Sequence, residues 1–140
     1  LYYPTQGNNL GVLDSSEILN DTMSRLNQMS VDERDNLERT FRRSMQAIYE
    51  IFGGKAFVIH YRKGIWKSGQ YLNKSFFEAF SINFAVLDSK QLQMLVSRKQ
   101  HLNRKFQELM SEGEDGAGGY HYLAQNRFSQ IRQLISEVLS

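Results

Sequence analysis

The sequence has 140 residues, of which 41% are hydrophobic and 23% are charged, a composition that suits one globular domain and excludes wholesale disorder. The lack of cysteine excludes disulfides, thiolate metal sites and a cysteine nucleophile. The formal net charge is only +2, so any contact with nucleic acid must come from a local cluster of basic residues.

The apolar runs and the N-terminus bear on localisation. No apolar run approaches the roughly 18 residues that a membrane-spanning helix needs. The N-terminus also lacks the basic-then-apolar pattern of a secretory signal. We therefore expect a cytoplasmic protein with no membrane partner. The first residue is Leu1 rather than Met, which suggests a piece of a longer polypeptide.

The first elements are an irregular lead-in and a short helix. Residues 1–14 hold the only proline and two glycines, which predicts coil. The helical domain is predicted over residues 15–140. Its first helix is predicted to end near Gln28, and its apolar residues recur at helical spacing. They are Ile18, Leu19, Thr22, Met23 and Leu26.

A second helix is predicted to begin at a capping box. Ser30 is followed three residues later by Glu33, so that each side chain can bond a free amide of the other residue. Gly53 and Gly54 are predicted to end this helix, because glycine adopts the left-handed cap conformation easily. The predicted apolar face consists of Leu37, Phe41, Met45, Ile48 and Phe52.

The next segment predicts either a small β-ribbon or an irregular loop. Apolar and polar residues alternate after Ala56, and a basic turn precedes a second short apolar run, which favours a two-stranded ribbon around residues 56–67. A ribbon alone is marginally stable and must lean on the helices. A loop anchored by Phe57 and Trp66 is the alternative.

Two further helices are predicted between residues 74 and 110. Asn73 can cap the third, whose wide apolar face should make it the most buried helix. That face comprises Phe76, Phe77, Phe80, Phe84 and Leu87, with Ala79, Ile82 and Val86 beside them. Asp88 and Ser89 offer the start of a fourth helix that reaches about Met110 and has a basic exposed side.

The last element is a helix from Tyr120 to the C-terminus. It follows residues 111–119, an acidic, glycine-rich run that predicts a mobile loop. Its apolar face comprises Leu123, Phe128, Ile131, Leu134, Ile135 and Val138, with Arg127 among them. The predicted fold class is therefore mainly α, a single-domain bundle of about five helices with a small β-ribbon.

The sequence gives no sign of a metal or cofactor site. His60, His101 and His121 are far apart, and none has a second ligand at metal-binding spacing. The run GEDGAGG lacks the Gly-Lys-Ser/Thr ending of a phosphate loop and the spacing of a calcium loop. We expect no metal, no cofactor and no catalytic residue in this segment.

Two basic segments are candidate phosphate contacts. The first interleaves charge with an aromatic ring, and the second lies along one side of the fourth helix. The candidates are Arg62, Lys63, Trp66 and Lys67 in the first segment and Arg98, His101, Arg104 and Lys105 in the second. A surface turn with Trp66 in the core explains the first segment at least as well, and a solvated helical face explains the second.

Arg127 lies within an apolar helical face. A buried guanidinium is costly unless it is paired, so we expect Arg127 to anchor a polar network or to face a partner. Glu78 is the predicted partner.

Three short motifs resemble the helical C-terminal part of the GmrSD-type restriction proteins, the family with a ParB/sulfiredoxin-like N-terminal domain. The resemblance covers roughly residues 25–140, with the motifs in the family's order. The matching residues are Phe52, Gly53, Ala56 and Phe57, then Asn73, Lys74, Phe77, Glu78 and Ala79, and finally Arg127, Phe128 and Ile131.

The resemblance implies a bacterial or phage-defence setting. The family's nucleotide-dependent cleavage of modified DNA is attributed to an Asp-Gly-Gln-Gln-Arg motif in the N-terminal domain and often to a separate His-Asn-His domain, and neither is present here. The family's threonine-bearing loop before the last helix is replaced by GEDGAGGYH. The parent protein would be a nucleotide-dependent DNA endonuclease, with this segment as the partner of its own nuclease-like domain.

Three functional classes remain open on the sequence. The first is a non-catalytic helical module of a modification-dependent restriction protein that contacts DNA phosphates. The second is a protein interaction module that docks through Tyr120, Tyr122 and the final helix. The third is an enzyme whose site needs a missing domain, with Arg127 or Asn73 contributing. Self-association is left open.

Overall fold

The computed structural model of the protein describes residues 15–62, 65–68, 72–112 and 120–140. The predicted lead-in and most of the predicted glycine-rich loop lie outside these ranges. The described chain is mainly helical. Its helices are α1 Ser15–Gln28, α2 Val31–Phe52, α3 Lys74–Ala85, α4 Ser89–Ser97, α5 Lys99–Glu112 and α6 Tyr120–Leu139, with a 3₁₀ turn at Gly53–Lys55 and strands β1 Ile59–Arg62 and β2 Ile65–Ser68.

The chain forms two compact units, Leu1–Arg39 and Thr40–Ser140. In the first unit the predicted capping box is present at the start of α2. The Glu33 carboxylate accepts the Ser30 amide at 2.7 Å, and the Glu33 amide donates to the Ser30 hydroxyl at 3.2 Å. This reciprocal bonding satisfies two amides that a helix start otherwise leaves without partners.

The second unit contains the core. Phenylalanines of α3 supply its centre, with Phe76, Phe80 and Phe84 almost completely buried. The Phe106 ring of α5 lies 5.4 Å from that of Phe80, and the Phe52 ring lies 4.8 Å from it. α3 packs mainly on α6, which contributes Ile131, Leu134, Ile135 and Val138.

The buried face of α2 agrees in part with the predicted one, since Ile48 is completely buried and Met45 and Phe52 pack against the core. The buried residues are Ser44, Ala47, Ile48 and Ile51, whereas Phe41 is 49% exposed. The Ser44 hydroxyl is satisfied by the Thr40 carbonyl at 2.8 Å.

The predicted helix end at the glycine pair is confirmed. Gly53 has a φ of 68°, in the left-handed region that an L side chain rarely adopts. The chain then turns once through the 3₁₀ segment before the strands. β1 and β2 are antiparallel, with Tyr61 opposite Trp66. They start later than the predicted ribbon, since Ala56 and Phe57 precede β1.

The prediction of a single fourth helix is wrong. The helix is interrupted at Arg98, which lies between α4 and α5 and has a φ of −98° and a ψ of 20°. The described part of the chain therefore has six α-helices rather than about five. Val86 was also predicted to lie on the buried face of α3 and is 78% exposed, because α3 ends at Ala85.

Candidate functional site

The break between α4 and α5 creates the surface that carries most of the helical phosphate candidates. Asp88 caps α4 by accepting the Gln91 amide at 2.8 Å, and the Gln91 side chain accepts the Asp88 amide at 3.0 Å. At the other end the Met94 carbonyl accepts both the Ser97 hydroxyl at 2.7 Å and the Arg98 amide at 3.0 Å.

Arg98 stabilises the interruption between α4 and α5 through two hydrogen bonds. Its guanidinium donates to the Val138 carbonyl near the end of α6. Its own carbonyl accepts the Leu102 amide at 3.0 Å and so begins the bonding of α5. A residue that was predicted to contact phosphate therefore has an intramolecular role.

The start of α5 and the end of α6 line a shallow surface depression of about 750 Å³, which we call the junction surface. It is lined by Ser97, Arg98, Lys99, Gln100, His101, Arg104, Glu137, Val138 and Ser140. Lys99, His101 and Arg104 are exposed. The first amides of a helix carry a partial positive charge, so the start of α5 adds to the positive side chains around it.

Lys105 differs from its neighbours because its ammonium forms an ion pair with Glu137. The Lys105 Nζ atom lies 2.7 Å from the Glu137 carboxylate and joins α5 to α6. The hydrogen bond to Glu137, and then its negative charge, raise the pKa of Lys105. The bond from Lys105, followed by one from Gln133, lowers the pKa of Glu137. Glu137 thus offsets the charge of Lys105 at the edge of the junction surface.

Sequence reasoning missed Lys99 and Gln100 as members of this surface. Both lie in the first turn of α5, whereas the prediction considered only one side of a continuous fourth helix. The signal that could have revealed them is Ser97 followed by a basic run, since serine near the end of an apolar helical repeat favours a break.

The ribbon candidates are placed by their backbone only. Arg62 ends β1 opposite Ile65, and Trp66 and Lys67 lie in β2 opposite Tyr61 and His60. Lys63 lies outside the described residues. The side chains of this segment are not described, so its candidate role in phosphate contact stays a prediction.

The residues of the predicted family motifs meet where α3 begins. The Asn73 amide donates to the Phe57 carbonyl at 2.6 Å, and its side chain accepts the Phe76 amide at 3.4 Å, as the predicted cap requires. The Phe57 and Phe77 rings meet edge to face at 5.1 Å. Asn73 thus fixes both the start of α3 and the segment that leads to the ribbon.

Arg127 contacts this same helix start. Its Nη1 atom lies 3.5 Å from the Asn73 side-chain oxygen, and its guanidinium lies 4.6 Å from the centre of the Phe76 ring. Glu78, the partner predicted from the sequence, instead lies 3.7 Å from Lys74 in an ion pair one helical turn apart. The neighbouring Phe128 carbonyl accepts the Asn83 side chain of α3 at 3.2 Å.

Only one of the three histidine side chains, that of His101, is described. His101 is exposed on α5, while the His60 and His121 side chains are not described. Within the described ranges no three His, Cys, Asp or Glu side chains are grouped as metal ligands. None of the helices in those ranges has the length and apolar character needed to cross a bilayer.

Comparison with known proteins gives no relative. No protein-family model, curated protein or solved structure matches the chain.

Proposed function

We propose that this chain is a non-catalytic helical module of a bacterial modification-dependent DNA restriction or defence protein. It buttresses a nuclease-like domain of its parent protein and contacts DNA phosphates through the junction surface. The observation that carries the phosphate contact is the exposure of Lys99 and Arg104 beside the first turn of α5.

The chemistry of the junction surface favours phosphate groups. Ammonium and guanidinium groups bind phosphate oxygens by charge and hydrogen bonds, and a helix start adds amide donors. Contacts of this kind position a protein on nucleic acid without reading its sequence. A module that leaves recognition of the modified base to another domain needs no more than this.

The charge of the second unit supports the same proposal. Residues 40–140 contain fourteen Lys and Arg against eight Asp and Glu, a net charge of +6. The net charge of the whole chain is only +2 because the acidic first unit offsets most of this positive charge. The field around α5 is that of a basic unit, which attracts a polyanion from a distance.

Contacts among residues of the three motifs support the proposed family. Asn73, Arg127 and Phe57 come from three separate motifs and interact around the start of α3. The three motifs therefore stabilise one region of the fold, which is consistent with a structural rather than a catalytic role.

A salt titration of DNA binding tests the proposal. Counterion release makes the logarithm of affinity fall linearly with the logarithm of salt, with a slope of about 0.9 for each phosphate contacted on duplex DNA. We expect Lys99→Gln and Arg104→Gln each to reduce that slope by about one phosphate contact. Lys90→Gln on α4, also exposed but outside the junction surface, is the matched control and should leave the slope unchanged.

Two results would overturn this proposal. If the chain does not bind duplex DNA at low salt, the proposed phosphate contact is wrong. If the chain alone hydrolyses nucleotide or cleaves DNA, it is an enzyme and not a non-catalytic module.

The alternative is a protein interaction module without a nucleic-acid role. Tyr120 and Tyr122 lie in the first turn of α6, and their side chains are not described. The observation that favours this alternative lies elsewhere, on α1, whose apolar side chains are exposed. Absence of duplex DNA binding at low salt, together with binding to a protein partner that added salt hardly changes, would favour it over phosphate contact.

A further inference from the structure

An ion pair at the edge of the junction surface ties one of the predicted phosphate contacts to a carboxylate. The Lys105 ammonium donates to the Glu137 carboxylate at 2.7 Å. Among the described residues that line the junction surface, Glu137 is the one that carries a negative charge. The pair joins α5 to α6, and both helices belong to the unit Thr40–Ser140, so its geometry is internal to one compact unit.

The Glu137 carboxylate stands where a phosphate of bound DNA would act. It accepts a charge-assisted bond from an ammonium group, as a phosphate oxygen does. It also lines the same depression as the exposed side chains of Lys99 and Arg104. An anion that approaches these basic groups therefore meets a negative charge that is already in place.

The ion pair is weak enough to be exchanged. The Lys105 side chain is 32% exposed and that of Glu137 is 43% exposed, so water and salt screen their attraction. Surface ion pairs of this kind contribute little to the stability of a protein. Replacing one anionic partner of Lys105 by another therefore leaves the packing of α5 on α6 to the apolar side chains between them, Leu102 and Phe106 with Ile135 and Val138.

Glu137 keeps a second partner when the ammonium leaves. Gln133, one turn earlier on α6, donates to the Oε1 atom of Glu137 at 3.0 Å, whereas Lys105 bonds the Oε2 atom. Each oxygen of the carboxylate thus has its own donor. Loss of Lys105 frees one oxygen for water and leaves the bond from Gln133 in place.

Lys105 is suited to change partners. Its ammonium group has three donors and ends a flexible four-carbon chain. Lys105 follows Arg104 in the chain and lies one helical turn after His101, beside the groups that we propose to contact phosphate. A small swing of its side chain serves a phosphate bound by those neighbours.

We propose that Lys105 exchanges partners when the chain binds DNA, leaving the Glu137 carboxylate for a backbone phosphate. Glu137 occupies the ammonium in the free chain and repels phosphates in the complex, so it lowers the affinity of the junction surface. This inference rests on the proposed phosphate contact and adds to it one residue that binds and one that opposes binding. Low affinity for the backbone leaves the choice of DNA to the domain that recognises the modified base.

Fluorescence anisotropy of a labelled DNA duplex, measured with the chain at several salt concentrations, tests the exchange. We expect Glu137→Gln to lower the dissociation constant about threefold at low salt, because a negative charge near the phosphates is removed. The slope of affinity against salt should stay that of the parent protein, because Lys105 contacts phosphate in both. Lys105→Gln should reduce the slope by about 0.9.

Glu50→Gln is the matched control. It removes the same charge from the same compact unit, but Glu50 is exposed on α2, outside the junction surface, and accepts the Gln46 side chain at 3.1 Å. We expect its dissociation constant to stay close to that of the parent protein, since salt screens a charge that is distant from the bound DNA. Circular dichroism melting checks that each variant is folded at the temperature of the assay.

The results separate the exchange from the proposed function. If Glu137→Gln raises the slope by about 0.9, Lys105 stays paired in the parent complex and the exchange is wrong, while contacts from Lys99 and Arg104 stand. The exchange is also wrong if Lys105→Gln keeps the parent slope, or if Glu137→Gln tightens binding no more than Glu50→Gln. A parent protein that does not bind the duplex at low salt would overturn the proposed function, and the exchange with it.

Discussion

The guanidinium of Arg127 lies 4.6 Å from the centre of the Phe76 ring and joins α6 to the first turn of α3. The same group reaches the side-chain oxygen of Asn73, which caps that turn. Arg127 is half-buried, so its stacking on Phe76 is shielded from water on one side. A ring and an amide thus help to accommodate an arginine on an apolar face.

We predict that Arg127→Met lowers the free energy of unfolding by about 1–2 kcal/mol, through loss of the cation–π contact and the bond to Asn73. Arg127→Lys keeps the positive charge but not the planar stacking on Phe76. We therefore expect its free energy of unfolding to lie between those of the parent protein and Arg127→Met. Urea unfolding followed by circular dichroism measures both. An Arg127→Met variant as stable as the parent that fails to bind a partner would make Arg127 a binding residue instead.

The features predicted correctly are those that local rules determine. The Ser30–Glu33 capping box, the Asn73 cap and the glycine at the end of α2 each involve residues within one turn of each other. The residue types alone specify such bonds. Mainly helical architecture follows from the same local patterns.

The features predicted wrongly depend on contacts between distant segments. The break at Arg98 accompanies a bond to Val138, 40 residues later, and no local rule contains it. The choice of Glu78 as the partner of Arg127 failed because the sequence does not give the register of α3 against α6.

A buried amide links α3 to α6 next to Arg127. The Asn83 side chain donates to the Ala79 carbonyl at 2.8 Å and to the Phe128 carbonyl at 3.2 Å. We predict that Asn83→Ala lowers the free energy of unfolding by about 1–3 kcal/mol, because both hydrogen bonds of this buried side chain are lost. Ser81→Ala is the control, since the Ser81 hydroxyl bonds only within α3, to Phe77. Chemical unfolding should show that this control lowers the free energy of unfolding by less than about 0.5 kcal/mol. Equal decreases for the two variants would contradict a special role for Asn83.

The two glycines after α2 form a matched pair for testing backbone strain. A Cβ atom at either Gly53 or Gly54 would meet nothing within 4 Å, so neither substitution causes a clash. Only Gly53 has a positive φ, 68°. We predict that Gly53→Ala lowers the free energy of unfolding by about 1–2 kcal/mol, whereas Gly54→Ala leaves it unchanged or raises it slightly. Thermal melting of the two variants measures the difference, and equal effects would contradict a left-handed cap at Gly53.

The Lys105–Glu137 ion pair predicts how stability depends on pH. The bond from Lys105 lowers the pKa of Glu137 below its ordinary value of 4.5, so the folded state favours the carboxylate. This stabilisation is complete above the ordinary value and is lost as the pH falls through the lowered one. The pKa of Lys105 is raised above 10.5, so its contribution is complete below that value and is lost as the pH rises further. The pair therefore stabilises the contact between α5 and α6 between about pH 4.5 and pH 10.5.

Glu137→Gln tests this dependence. We expect the variant to melt below the parent protein at pH 7 and the gap to close as the pH falls below the lowered pKa of Glu137, where the parent carboxylate is protonated. The gap should also shrink with added salt, because both side chains are at the surface. Lys105→Gln should lower the melting temperature at pH 7 in the same way, and combining it with Glu137→Gln should add little, since the two residues act as one pair. A gap that stays constant from pH 3 to pH 7 would mean that Glu137 contributes through packing rather than through its charge.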